Sequence, residues 1–407
     1  GLGDVYKRQS TYTREKIMNK VFVAGVGMCK FSKPSEGTSY VEMGKVALRA
    51  AFTDAGIEYS QVQQAYASYL YGDTCSGQRV LYEVGMTGIP VFNLNNACAS
   101  GSSGLFLARQ AVQSGAVDCA LAIGFEQMRP GALGTTWDDR DSPWDHWLAG
   151  YKQMGASPAP VACQMFGAAG EAYMKEYGAS PELFAEVAVK SRRHAAANPY
   201  AVFRDPITVA EVLDAPVVYG DFMTRLMACP PTCGAGAVIV CSESFVERQG
   251  VSQPVEIVAQ AMATDSPETW KGAMNLAGSE MTYRAAQQVY QQAGIGPTDV
   301  DVVELHDCFT PNEVLSYESL GLCDVGGAAD FVARGDNTYG GKYVVNPSGG
   351  LMSKGHPIGA TGLGQCTELV WQLRGTAGEK QVPSARLGLQ HNIGIGGAVV
   401  VTLYKKT

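Results

Sequence analysis

Short apolar segments rich in β-branched residues alternate along most of the chain with stretches that have the apolar spacing of a helix. The segments 20–27, 91–94 and 119–124 predict strands. The stretches 41–55 and 102–114 predict helices, and each is followed by a glycine that can end it. Strands alternating with helices are typical of a mostly parallel sheet flanked by helices, so the pattern predicts an α/β protein.

Two copies of this order occupy the two halves of the chain. The tripeptide Ala-Gly-Ile closes a predicted helix at 55–57 and again at 293–295, and Gly-Leu lies in a predicted helix at 104–105 and at 362–363. Each Gly-Leu helix is followed by a predicted strand, over 119–124 and over 398–404. A repeated order of elements indicates an internal duplication. Two such halves packed face to face would place their equivalent helices at the centre of the molecule.

The composition changes between the two copies. Trp, Pro, Asp and Gly are frequent over 128–232, where a helix is predicted at 181–197. Such a segment predicts a loop or cap insertion, the usual place for substrate selection. The polar, unpatterned residues 1–17 are expected to be a disordered leader or tag. The predicted division is a first half of 18–127 plus 233–250, the insertion 128–232, and a second half of 251–407.

Composition narrows the class of protein. The chain has 407 residues, 46% of them hydrophobic, and a formal net charge of −8. A negative charge argues against nucleic acid as a partner. No apolar run approaches the roughly 20 residues of a membrane-spanning helix, so no stable membrane insertion is expected.

The cysteines bear on metal binding and on compartment. There are 11, and the close pair Cys229 and Cys233 has no Cys or His partners at metal-binding spacing, so no metal site is expected. An odd number of thiols in a large protein fits an intracellular, reducing compartment. Cytoplasm, mitochondrion and peroxisome are all compatible with that expectation.

The first candidate for chemistry is Cys98, in the sequence Asn-Asn-Ala-Cys-Ala-Ser-Gly-Ser-Ser-Gly over 95–104. This segment follows a predicted strand and precedes a predicted helix, and its small residues allow backbone and ligand to approach closely. A thiol at a helix N-terminus is expected to have a lowered pKa, because the helix dipole favours the thiolate. From the residues alone, a reactive nucleophile and one more buried thiol are equally well supported.

A second candidate pair, His306 and Cys308, lies in Glu-Leu-His-Asp-Cys-Phe over 304–309, directly after the strand-like segment 300–303. The ends of buried parallel strands are where α/β folds place their sites. Residues two apart on an extended segment point to the same face, so both side chains could enter one site. The alternative is a capped histidine and an inert thiol.

Two glycine-rich segments complete the candidates. His356 stands between a glycine and a proline in the loop 346–362, which lacks the spacing of a phosphate-binding loop and favours a rigidly held imidazole that acts as a base. The segment Gln-His-Asn-Ile-Gly-Ile-Gly-Gly over 390–397, before the last strand, could present backbone N–H groups to an oxyanion. Its candidate support residues are His391, Asn392 and Gly394.

In this order, the four segments resemble the thiolase superfamily, and specifically the branch of the sterol carrier protein X-type thiolases. Better-known thiolases carry Asn-Glu-Ala-Phe where this chain has His-Asp-Cys-Phe at 306–309, and Cys-x-Gly where it has Asn-Ile-Gly at 392–394. These two differences are the hallmark of the branch. The resemblance extends from Met18 to Tyr404. Many members continue into a C-terminal lipid-carrier domain, which we expect to be absent from this sequence.

The resemblance implies a fold of two duplicated βαβ-type halves in a five-layered α-β-α-β-α sandwich, and an acyltransferase. Cys98 would be the acylated nucleophile and His356 its base, and His306 and His356 would together stabilise the enolate oxygen. Cys308 would act as acid and base near neutral pH, while backbone N–H groups of Cys98 and the Gly394 region would bind the carbonyl oxyanion. CoA and acyl-CoA thioesters are then substrates and no cofactor is implied, and the implied assembly is a homodimer or a tetramer.

The main functional prediction is thiolysis of 3-oxoacyl-CoA with a medium, long or 2-methyl-branched chain, giving acyl-CoA and acetyl-CoA or propionyl-CoA. The alternatives are biosynthetic condensation of acetyl-CoA-type units and a non-catalytic protein that binds lipid or acyl-CoA on the same fold. His391 is equally well explained by a structural role. His146 and His194 fall in the insertion and are expected at the surface.

Overall fold

The computed structural model describes residues 18–131 and 137–407, so the predicted leader 1–17 lies outside the described residues. Across those two stretches, no helix combines the length and the apolar character needed to cross a bilayer. The strands and helices predicted in the first half are present, and their ends differ from the predicted ones by no more than two residues.

The elements are numbered here in chain order. Strands β1 to β12 span Val21–Met28, Gln64–Ser68, Val91–Leu94, Cys119–Glu126, Val217–Tyr219, Met223–Thr224, Gly234–Ser242, Val255–Ala263, Val302–Glu304, Val344–Val345, Leu387–Gly394 and Ala398–Lys406. Helices α1 to α14 span Tyr40–Ala55, Ser76–Leu81, Ser100–Gln113, Asp145–Gln153, Val161–Tyr177, Pro181–Ala195, Val209–Leu213, Glu243–Gln249, Ala273–Leu276, Ser279–Ala293, Thr310–Ser319, Ala328–Ala333, Gly350–Ser353 and Thr361–Arg374.

The order of strands in the main sheet repeats between the two halves of the chain. Ten strands lie in the order β10-β9-β11-β12-β8-β1-β7-β4-β2-β3, so the two halves have the same arrangement when the strands of each are counted in chain order. In each half four strands run in one direction and the fifth, β7 or β12, runs antiparallel between two of them, so each half is the mostly parallel sheet that the pattern predicts. The halves join through two residue pairs between β1 and β8, Phe22 with Glu256 and Val23 with Val255.

Five layers result from this arrangement. Helices α3 and α14 pack between the two halves of the sheet in one apolar core. Helices α1, α2 and α8 cover the outer face of the first half, and α10 and α11 cover that of the second. A Cβ at Gly362 would lie 2.1 Å from Oγ of Ser102, so this glycine lets the two central helices approach. The predicted five-layered sandwich with equivalent helices at its centre is confirmed.

Strand β11 corrects one part of the predicted duplication. The pattern predicts no strand at 390–397 and pairs 398–404 with 119–124, whereas Leu387–Gly394 is itself a buried strand. Its place beside β9 makes β11 the counterpart of β4, and β12 that of β7. The prediction is wrong because polar side chains fill the middle of this buried strand and hide its apolar pattern. They belong to Gln390, His391 and Asn392.

The segment 128–232 packs against the second half, although it interrupts the sequence of the first. One apolar core joins its helices α4, α5 and α6 to strands β8, β9, β11 and β12. His146 is exposed as expected, but His194 is only 4% exposed. Its ring contacts the carbonyl oxygen of Asn346 at 3.0 Å and Oγ1 of Thr338 at 2.7 Å. The surface prediction for His194 is wrong because α6 lies beneath a loop of the second half.

Candidate active site

Cys98 lies in the tight turn between β3 and α3. Ala97, just before it, has a φ of 46°, in the left-handed region that residues other than glycine rarely adopt. The side chain of Asn95 holds this turn by accepting the N–H of Ala97 at 2.8 Å. Cys98 is only 5% exposed. The strained turn therefore holds the thiol in a buried position at the start of α3.

Gly394, at the end of β11, packs directly against this turn. A Cβ at residue 394 would lie 2.1 Å from the carbonyl oxygen of Asn96, so a side chain there would push the turn away. The next residue, Ile395, donates its N–H to the thiol of Cys98. The N–H of Ile395 therefore faces the nucleophile, and Gly394 provides the close approach.

The site brings three of the predicted side chains together. Sγ of Cys98 and one ring nitrogen each of His306 and His356 all lie within 4.8 Å of one another, and all three residues are buried. The two imidazoles meet edge to face, with ring centroids 5.0 Å apart and planes at 84°. Nδ1 of each ring is engaged elsewhere, with Asn392 or Thr361, so Nε2 is the nitrogen of each that faces the thiol.

The contacts of Thr361 define the tautomer of His356. The Thr361 hydroxyl donates to the carbonyl oxygen of Pro357 at 2.9 Å, which uses its only hydrogen. It must then accept from Nδ1 of His356, 2.7 Å away, so that nitrogen carries the ring proton. Nε2 of His356 is left with a free lone pair beside Cys98, as a general base needs.

His306 and Cys308 reach the site from the segment after β9, while Asp307 between them points the other way. Asp307 accepts the N–H of Leu351 at 2.7 Å, which ties this segment to the start of α13. The carbonyl oxygen of Cys308 accepts the N–H of Cys229 at 2.8 Å. Asp307 thus anchors the segment that carries the two site residues.

His391 and Asn392 hold His306 in place from β11. Nδ1 of His391 accepts the backbone N–H of His306 at 3.4 Å, and its Nε2 lies 3.0 Å from Oγ1 of Thr282. Nδ2 of Asn392 lies 2.9 Å from Nδ1 of His306. His391 therefore supports the backbone of His306, and Asn392 supports its ring.

Burial sets the protonation states of the cluster and corrects two expectations. It raises the pKa of Cys98 to about 12 and lowers the pKa of His356 to about 3. Burial, followed by the neighbouring Cys229 and Cys98, raises the pKa of Cys308 well above its ordinary value. A lowered pKa of Cys98 and a near-neutral Cys308 were expected, but loss of hydration outweighs the helix dipole. The resting site holds two protonated thiols and a neutral base.

Glu126, which the sequence did not single out, lies buried beside the nucleophile at the end of β4. Its carboxylate accepts three backbone N–H groups, from Leu70 at 3.0 Å, Tyr71 at 2.8 Å and Gly359 at 3.0 Å. Burial raises the pKa of Glu126 to about 7, and its charge adds to burial in raising that of Cys98. The signal available in the sequence was an acidic residue ending a wholly apolar strand.

One sulfur and two ring nitrogens at this separation could also hold a metal ion. A ligating nitrogen must offer a lone pair. At His306 the lone pair on Nδ1 faces the amide of Asn392, so Nε2 carries the proton. This donor set therefore fits hydrogen bonding to a reacting oxygen better than metal binding.

Comparisons with known proteins agree with this geometry. Residues 21–228 match the family described as "Thiolase, N-terminal domain", and residues 246–404 match "Thiolase C-terminal domain-like". The chain is 52% identical to "Sterol carrier protein 2" of Gallus gallus, over 95% of this chain and 72% of that protein.

Solved structures share the fold over nearly the whole chain. The "Ltp2-ChsH2(DUF35) aldolase" is 25% identical with a TM-score of 0.81, covering 96% of this chain and 98% of that one. Human mitochondrial 3-ketoacyl-CoA thiolase has a TM-score of 0.72 at 19% identity, covering 96% of this chain and all of that one. The chain belongs to the thiolase family of acyltransferases, in the branch of the sterol carrier protein X-type thiolases.

Proposed function

We propose that the protein is a 3-oxoacyl-CoA thiolase that cleaves medium-chain, long-chain or 2-methyl-branched substrates with CoA. The observation that carries the proposal is the buried cluster of Cys98 with His306 and His356, whose reacting atoms lie within 4.8 Å of one another. Cleavage through an acyl-cysteine needs a thiol, a base with a free lone pair and an N–H donor to the reacting oxygen.

In the first half-reaction the Cys98 thiol passes its proton to Nε2 of His356, and the sulfur attacks C3 of the substrate. The bond between C2 and C3 then breaks, leaving an acyl group on Cys98 and a thioester enolate. Nε2–H of His306 donates to the enolate oxygen. The Cys308 thiol protonates C2, releasing acetyl-CoA or propionyl-CoA, and its raised pKa keeps it protonated until this step.

In the second half-reaction the Cys308 thiolate removes the proton from the thiol of incoming CoA. The CoA sulfur attacks the acyl group, and the bond to Cys98 breaks. Cys98 recovers its proton from His356, so every group returns to its starting state. Run in reverse, the same steps join two thioesters, which is the biosynthetic alternative.

The test is a panel of 3-oxoacyl-CoA thioesters that varies chain length and 2-methyl branching, assayed in both directions. Faster cleavage of medium, long or branched substrates supports the proposal, and faster condensation of acetyl-CoA supports the biosynthetic alternative.

Cys98→Ala should abolish cleavage and the acyl-enzyme seen by mass spectrometry. Cys119→Ala, which removes an equally buried thiol from β4, is the matched control. Undiminished turnover of Cys98→Ala would overturn the proposal, and no acyl-enzyme in the native chain would favour a non-catalytic binding protein.

We also propose that two copies of the chain associate through β3. This strand is an edge of the sheet, since β2 is its neighbour on one side and no described strand lies on the other. Exposed apolar side chains lie on this strand, at Phe92 (47% exposed), and in the segment just before it, at Met86 (78% exposed). An open edge with an apolar border invites strand pairing. Phe92→Lys should convert a dimer to a monomer in light scattering, and a native monomer would contradict this assembly.

A further inference from the structure

A buried chain of hydrogen bonds runs from a backbone carbonyl in the central helix α14 to the ring of His306. Nε2 of Gln390 contacts the carbonyl oxygen of Gly362 at 2.6 Å and Oγ of Ser102 at 3.0 Å. Oγ of Ser102 lies 2.8 Å from Oδ1 of Asn392, whose Nδ2 lies 2.9 Å from Nδ1 of His306. The three polar side chains between the carbonyl and the ring are each no more than 1% exposed. The chain is therefore isolated from water.

Each link of this chain has a defined direction. The carbonyl of Gly362 can only accept, so the group facing it is the NH₂ of Gln390. That NH₂ also faces Ser102, whose oxygen accepts from it. The Ser102 hydroxyl in turn donates its single hydrogen to Oδ1 of Asn392. The NH₂ of Asn392 must then face His306, whose Nδ1 accepts. The Gly362 carbonyl and the Ser102 hydroxyl together orient the two amides, and the Asn392 amide sets the position of the ring proton.

We propose that Asn392 is a positioning residue that keeps His306 as its Nε2–H tautomer. His306 then presents a neutral N–H donor to the site, while Thr361 holds His356 in the opposite tautomer, with a lone pair at Nε2. Two histidines of the same chemical type become one donor and one base through their partners at Nδ1. The inference rests on the proposed function, which supplies the enolate oxygen that this donor binds.

The donor stays neutral because the groups around it cannot supply a compensating negative charge. His306 faces His356 from the loop before α14, His391 from β11, and Cys98 from the turn before α3. Burial, together with the charges these two histidines would carry, opposes protonation of the ring. An acidic side chain at residue 392 would reverse both effects: it would accept from Nδ1–H and favour the imidazolium.

The tautomer can be read directly in the resting enzyme by ¹⁵N NMR with histidines labelled at both ring nitrogens. The chain has only five histidines, and His306→Asn identifies the signals of His306 by their loss. Nε2 of His306 should carry hydrogen and Nδ1 should not, with the reverse pattern for His356. A protonated Nδ1 of His306 in the native enzyme would overturn the inference, whatever the activity of any variant.

Asn392→Asp tests the consequence for catalysis. The carboxylate keeps the bond from Ser102 but turns His306 into its Nδ1–H form, so kcat for thiolysis at pH 8 should fall about 100-fold with KM nearly unchanged. Lower pH should partly restore kcat, because the imidazolium regains Nε2–H. Asn337→Asp, at a similarly buried residue (3% exposed) outside the site, should show no such recovery.

These measurements separate the two proposals. The predicted tautomer without thiolysis of any CoA thioester would defeat the proposed function alone. Thiolysis by an enzyme whose His306 carries hydrogen on Nδ1 would defeat the positioning role alone. A kcat of Asn392→Asp that is low by the same factor at every pH would also count against it, since a merely structural role predicts that result.

Discussion

Replacing Glu126 by glutamine should change how the stability of the protein depends on pH. In the folded chain burial raises the pKa of this carboxyl from its ordinary value of 4.5 to about 7. Between those values the folded protein holds a proton that the unfolded chain has released. The contribution of Glu126 to stability is therefore full below pH 4.5 and is lost as pH rises towards 7.

The size of the effect follows from the pKa shift. Each pH unit within the window costs about 1.4 kcal/mol, so the group lowers the free energy of unfolding by about 2 to 3 kcal/mol between pH 5 and pH 8. Glutamine cannot ionise, and Glu126→Gln should remove this part of the pH dependence. Lost hydrogen bonds to Leu70, Tyr71 and Gly359 would affect both pH values and cancel in the difference.

The assay is urea unfolding of both proteins at pH 5 and pH 8, at one protein concentration. The native chain should lose about 2 to 3 kcal/mol more than the variant on going from pH 5 to pH 8. Glu83→Gln is the matched control, because Arg79 holds the pKa of that carboxyl below its ordinary value and the group stays ionised across this pH range, so the variant should lose as much stability as the native chain. Equal pH dependence of the native chain and Glu126→Gln would refute the reasoning.

Three further predictions concern the catalytic cluster. Thr361→Val removes the acceptor at Nδ1 of His356, so kcat should fall about 10- to 100-fold, whereas Thr361→Ser should retain most activity. Gly394→Ala places a methyl group 2.1 Å from the carbonyl oxygen of Asn96 and should shift the nucleophile, lowering kcat about 100-fold with little loss of folded protein in circular dichroism. Alkylation of Cys98 by iodoacetamide should accelerate steadily from pH 7 to pH 9, because burial raises its pKa to about 12; a plateau near neutral pH would reveal a preformed thiolate.

Much of this architecture could be predicted from the sequence because it depends on local pattern. The glycine after α1 closes its helix at a φ of 67°, and the glycine after α10 does the same at the equivalent place. The turn of small residues around Cys98 and the segment from His306 to Cys308 can likewise be recognised as candidate sites from the residues next to them. Such features can be predicted from the sequence because the contacts that explain them join residues close together in the chain.

What could not be predicted depends on contacts between distant segments. Glu126 is joined to Gly359 across 233 positions, and Ser102 to Asn392 across 290. The polar residues of β11 become explicable only when the strand lies between β9 and β12. The pKa of Cys98 depends on how completely the two halves exclude water from the thiol. That exclusion raises the pKa more than the dipole of α3 lowers it.

Nucleophile and base occupy the same place in the repeat. Cys98 precedes the Gly-Leu pair of α3 by six residues, and His356 precedes that of α14 by six. Two identical halves would bring two thiols or two imidazoles together at this point, and neither pairing can both attack and accept the proton. The two halves must therefore carry different residues at this equivalent position. A single fused chain allows that difference, whereas a symmetrical pair of identical half-length chains does not.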